Sequence, residues 1–159
     1  MAQTVYAPIG GTMDANERVD ARHHESFVAM IKLRMLESVP MFTSAEAGTR
    51  VLGGWNYELG TRTIDELVTF NGNGSLIEIR FGNTKLYPAF QFDPLTGRLI
   101  GVVERVNQLL RSAGDPWGVL GWWTQPNAWI SGDRSPSELL ASEQEVLVPL
   151  AKGVLSCTG

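Results

Sequence analysis

Apolar residues recur three and four apart along much of this chain, and the gaps between those stretches carry helix-start and turn residues. From Asn16 to Ser38, Val19, Phe27, Met30, Ile31 and Met35 stand among polar residues at helical spacing, which predicts an amphipathic helix ended by Pro40. Thr43-Ser44-Ala45-Glu46 has the capping-box arrangement and predicts a helix from about Ser44 to Leu52, stopped by Gly53-Gly54. Thr63-Ile64-Asp65-Glu66 repeats the signal and predicts a helix to Phe70. Asn71-Gly72-Asn73-Gly74 is a strong turn. Leu76, Ile77, Ile79 and Phe81, with polar residues interleaved, then predict a strand over 75–81. Gly82-Asn83 turns the chain into a partner strand from Lys85 to Phe90, in which Pro88 must sit at an edge or an end.

Asp93-Pro94-Leu95-Thr96-Gly97 reads as a turn. Leu99, Val102, Val103, Val106, Leu109 and Leu110 then recur at helical spacing up to Gly114, with Arg98, Glu104, Arg105, Gln108 and Arg111 mostly on the other face. Asp115-Pro116 and Ser135-Pro136-Ser137-Glu138 are two further helix starts, and Ser142 with Glu145 offers another. Val146, Leu147, Leu150, Ala151 and Val154 form the apolar side of a last helix, which Pro149 is expected to kink or break. The pattern as a whole predicts a mainly α single domain with a short central β-hairpin. Its parts are a flexible lead over 1–15, an N-terminal helical region with the hairpin over 16–85, and a helical module over 86–159.

Composition changes this picture little. At 159 residues, 43 % apolar and 19 % charged, the chain can bury a core without a disulfide or a structural metal. Its one cysteine, Cys157, lies near the end and reads as part of a frayed tail. The net charge of -4 argues against a protein that coats nucleic acid broadly. The sequence starts without a basic, apolar signal segment and has no run of apolar residues long enough for a membrane span. A soluble, cytoplasmic protein is therefore expected.

The chemistry-bearing residues do not converge. His23 and His24 are neighbours on a helix and point about 100° apart, so they do not meet on one metal. Zinc motifs, phosphate-binding Gly-rich loops ending in Lys-Ser/Thr, and nucleophile elbows do not occur. No catalytic residue, metal or cofactor is expected. The two helices over 44–52 and 63–70 with the hairpin behind them suit a degenerate helix-turn-helix with a wing, whose DNA-contact candidates are Arg62, Arg80 and Lys85. Against it stand the long connection from Gly53 to Arg62 and the carboxylates of Asp65 and Glu66. Trp117, Trp122, Trp123 and Trp129 form an aromatic-rich run. Adjacent Trp122 and Trp123 cannot both bury on one helix face, which leaves two readings: core alone, or core plus an interface such as a homodimer.

The ordered residues of the C-terminal half resemble the toxin-binding domain of the Xre/MbcA/ParS antitoxin family. The matching features are Tyr87-Pro88-Ala89-Phe90-Gln91-Phe92-Asp93, Gly97 to Gly101, Trp122 followed by Pro126-Asn127, Gly132, Ser135-Pro136, Leu139-Leu140 and Val148 to Ala151. The chain departs from the family at Ser142-Glu143, where a glycine is common, and at Pro149. The resemblance implies a mostly helical antitoxin whose partner is an NAD-consuming RES-domain toxin, blocked at its active-site entrance. It also implies a homodimer or a hetero-oligomer with the toxin, and autoregulation through operator DNA. By similarity the toxin-facing residues are Trp129, Asp133, Arg134, Ser135, Glu138 and the end of the chain. Trp129 and Arg134 are also the residue types that dominate binding hot spots. Truncation after Gly132 is expected to abolish neutralisation and leave the fold largely intact. The alternative is a DNA-binding transcriptional regulator, or a phage-encoded protein inhibitor, without a cognate toxin.

Overall fold

A computed structural model of the chain describes residues 15–44, 46, 47 and 74–156. The lead over 1–14, the helix over 63–70, the connection from Gly53 to Arg62, the turn residues 71–73 and Cys157 lie outside the described residues, as do most positions of the expected helix over 44–52. The chain divides into two compact units, Met1–Leu33 and Arg34–Gly159. In the first, helix α1 (Ala15–Ser38) begins and stays regular through Leu33. Phe27, Met30 and Ile31, three and four apart, share one face of it, and with Leu33 they are exposed. His23 and His24 are exposed as well.

The second unit is mainly helical around a small sheet. The end of α1 brings Met35 and Leu36 against the core, and the helix stops at Ser38, whose hydroxyl donates to the Met35 carbonyl. Pro40 then turns the chain into strand β1 (Met41–Thr43), a strand the sequence pattern did not announce. At its end Thr43 starts a helical turn: the Glu46 carboxylate accepts from the Thr43 N–H at 2.8 Å and from its hydroxyl at 2.9 Å. The hairpin is strands β2 (Ile79–Phe81) and β3 (Thr84–Pro88), joined by Gly82-Asn83 with Gly82 at φ 59°. The sheet order is β1-β3-β2, antiparallel throughout, with Met41 opposite Pro88 and Arg80 opposite Lys85. Pro88 closes the central strand. It has no N–H to give, and the 3-10 turn Ala89–Gln91 follows at once.

Strand β2 is shorter than the expected 75–81. The backbone from Gly74 to Ile77 is satisfied by side chains instead of a neighbouring strand, as described below, and so stays irregular. Helix α2 (Gly101–Leu109) also ends before Gly114. Arg111 takes the left-handed conformation at φ 58°, its N–H donates to Gln108 O, and Ser112 N–H reaches back to Asn107 O. That is a Schellman stop built without glycine. Helix α3 (Pro116–Thr124) starts at the Asp115 cap, whose carboxylate accepts from Gly118 N–H at 2.8 Å. Pro136–Ala141 and Gln144–Val146 are 3-10 helices, and Ser142 is the end of the first, not the cap of the second. Helix α4 (Leu147–Ser156) is unbroken. Pro149 falls in its first turn, where a backbone N–H has no acceptor in the helix, so the expected kink is absent.

Ile77, Ile79, Val103, Val106, Val119, Leu120, Trp123, Ile130, Leu139, Leu147 and Ala151 form one core, with Leu86 and Phe90 packed against it. This core is continuous across residues 85 and 86, where the sequence places the start of the C-terminal module. A smaller cluster of Ala47, Leu76, Tyr87 and Phe92 lies with Phe42 and Leu99. Leu139, Leu147 and Ala151 are at most 1 % exposed. Removing everything after Gly132 therefore strips the core, which corrects the expectation that such a truncation spares the fold. Among the described residues no helix is long and apolar enough to cross a membrane.

Candidate functional site

Three buried polar side chains, Gln91, Asn107 and Ser112, tie the irregular segment to the helices. Gln91 behaves as a substitute strand partner: its amide oxygen accepts from Ile77 N–H at 2.7 Å and its amide nitrogen donates to Ile77 O at 3.2 Å. Asn107, on α2, donates to Ser75 O at 3.0 Å and to the Gln91 amide oxygen at 3.1 Å. Its own oxygen accepts from Trp123 Nε1 at 2.8 Å. Ser112 Oγ lies at hydrogen-bond distance from Gly74 O and Leu76 O. Gln91, Asn107 and Trp123 are fully buried, so each of these bonds is made away from water. Sequence reading missed Gln91, Asn107 and Ser112 as core residues. One signal was present: Asn107 lies four residues after Val103, on the apolar side of α2.

Of the adjacent pair, Trp123 is the one in the core. It packs against Phe90 at 5.3 Å between ring centroids and takes Trp122 edge-on at 5.0 Å. Trp122 is the half-buried neighbour. Trp129 is different, being 76 % exposed. It rides on a loop closed at its base, where Asn127 N–H donates to Arg134 O at 3.1 Å. Inside the loop, Trp129 N–H donates to Asn127 Oδ1 at 3.0 Å and Ile130 N–H to Asn127 O at 2.9 Å. Ile130 turns into the core and fixes the loop from below.

The other candidates surround that loop. Asp133 is exposed and holds a left-handed backbone at φ 52°, a conformation Asp tolerates better than most residues. The Arg134 guanidinium donates from Nε to Ser131 O at 3.0 Å and from Nη1 to Glu143 Oε1 at 2.7 Å. That hydrogen bond holds Glu143 below the usual carboxylate range and raises Arg134. Glu143 is thus the partner that orients Arg134. Glu138 accepts from Ser135 N–H at 2.6 Å and from its hydroxyl at 2.8 Å, and these two bonds lower its pKa. Ser135 is buried. Five sequence-derived candidates therefore meet in one place, but in two roles. Arg134, Ser135 and Glu138 bind within the chain, whereas Trp129 and Asp133 face solvent.

The DNA-contact candidates fare differently. Arg62 lies outside the described residues. Arg80 and Lys85 are cross-strand neighbours, and Glu78 sits with both: Oε1 at 3.1 Å from Arg80 Nε and Oε2 at 3.4 Å from Lys85 Nζ. The Tyr87 hydroxyl also donates to Glu78, at 2.9 Å. An open cleft of about 370 Å³ lies elsewhere, lined by Gly101, Val102, Arg105, Gln144, Glu145 and Val148, and contains none of the candidates. Among the described residues no three His, Cys, Asp or Glu side chains gather as a metal site. Compared with protein-family models, curated proteins and solved structures, the chain matches none.

Proposed function

We propose that this chain is a non-catalytic antitoxin that binds an NAD-consuming RES-type toxin and blocks its active-site entrance with the face that carries Trp129. The observation behind this reading is the Trp129 indole, 76 % exposed on a loop pinned by Asn127, Ile130 and Arg134. A large exposed aromatic gains most by being covered, and a loop already closed by its own hydrogen bonds loses little entropy when a partner covers it. The ordered resemblance of the C-terminal half supports the same face. In this reading Ser135, Glu138 and Arg134 set the loop's shape, and Trp129 and Asp133 meet the toxin. Glu78 already engages both Arg80 and Lys85, which weakens the case for operator binding through the hairpin.

The test is co-expression with the protein encoded beside this chain in its genome. That protein alone should arrest growth and deplete cellular NAD, and this chain should reverse both. Trp129→Ala should lose the rescue while keeping the wild-type melting temperature. A neighbour that leaves growth and NAD untouched would sink the reading.

A further inference from the structure

Three carboxylates, Asp133, Glu138 and Glu143, follow Trp129 along the chain, with one guanidinium, Arg134, among them. Their proximity is fixed by structure: Asn127 bonds Arg134, Arg134 bonds Glu143, and Glu138 caps Ser135 beside it. From Ser112 to Ala151 the chain holds no lysine and no other arginine. Arg134 pairs with Glu143, which leaves Asp133 and Glu138 as the uncompensated charges of the segment that carries the exposed indole.

That charge selects among the occupants a bare aromatic could have. A second copy related by a two-fold axis through Trp129 would set Asp133 and its neighbours against themselves. Nucleic-acid phosphates and anionic lipid headgroups would be repelled. What fits is a protein surface of opposite sign with an apolar slot at its centre. Resting on the antitoxin reading, we infer that the toxin presents a cationic rim around a slot that takes the Trp129 indole, and that the carboxylates steer the encounter. The indole then sets how long the complex lasts, and the charge sets how fast it forms.

Association of the full chain with the protein encoded beside it tests this, measured by stopped-flow at about 50 and about 300 mM salt. Ala128 is exposed next to Trp129, so Ala128→Lys and Ala128→Glu change the charge without touching the core. Ala128→Lys should slow association and Ala128→Glu should speed it, each by a few-fold and less so in high salt. Trp129→Ala should weaken the complex about 30-fold or more, mostly through faster dissociation. A complex that responds to the two Ala128 variants with the opposite sign overturns the inference and leaves the antitoxin reading standing, whereas a complex that ignores Trp129→Ala overturns both the inference and the docking face of that reading. The absence of any complex removes both. A dimer of this chain alone that Trp129→Ala dissolves would assign the face to a second copy and overturn the inference too.

Discussion

Asn107 shows how much a single side chain can carry. Its amide nitrogen serves Ser75 O and Gln91 while its oxygen serves Trp123, all in the interior. Asn107→Asp keeps the shape and replaces the donor with an acceptor that faces two oxygens. It should cost about 3 to 5 kcal/mol, read as a shift in urea midpoint; a loss under about 1 kcal/mol would mean the network is dispensable. The surface carboxylates behave differently. Glu143 titrates below its ordinary value of 4.5 because Arg134 bonds it, and Glu138 does so because of the Ser135 N–H and hydroxyl. A depressed folded pKa contributes stability above the unfolded value, and that stability is lost as pH falls through the folded one. Thermal stability should therefore fall as the pH drops below about 4.5, and Glu143→Gln should flatten part of that fall. Residues of this kind were only half legible. Ser135 and Glu138 announce themselves by spacing, whereas the bond between Arg134 and Glu143 depends on a turn that brings positions nine apart together.

At the scale of the element, the sequence was clearest where one residue's chemistry fixes one end of a helix. Thr43 with Glu46, Asp115 with Pro116, and Ser135 with Glu138 all act where their spacing puts them. It was least clear where backbone groups find side-chain partners far along the chain, as at Ser75 and Ile77, because alternation alone cannot tell a strand from a segment bonded by amides. The Asp115 cap also constrains its neighbour. A methyl group on Gly118 would collide with the cap's carboxylate. In the native chain, Gly118→Ala should gain helix propensity and lose the cap, leaving stability nearly unchanged or lower. In an Asp115→Ala background, where the cap is already gone at a cost of about 1 kcal/mol, the same change should stabilise by about 0.5 to 1 kcal/mol. Equal effects in the two backgrounds, by calorimetry, would rule out the steric coupling.

Across the 34–159 unit, one core joins the hairpin to the last helix, and the proposed docking face stands outside it. The loop's base was legible in Ser135 and Glu138, whose spacing is that of a capping box. The separation of the face into shape-setting and exposed residues was not, because that depends on which side chains find partners within the chain. The bonds from Gln91 and Asn107 also bear on how the unit opens. Ile77 belongs to no strand or helix, yet its N–H is fully buried and bonded to a residue fourteen positions on. Such an amide should exchange its hydrogen with solvent only when the whole unit opens, at the slow rate of the core helices and not at the rate of the hairpin loop around Gly82. Exchange at Ile77 as fast as at Gly82 would show a local opening route. Otherwise that one amide, outside all regular structure, becomes the clock for unfolding of the entire unit.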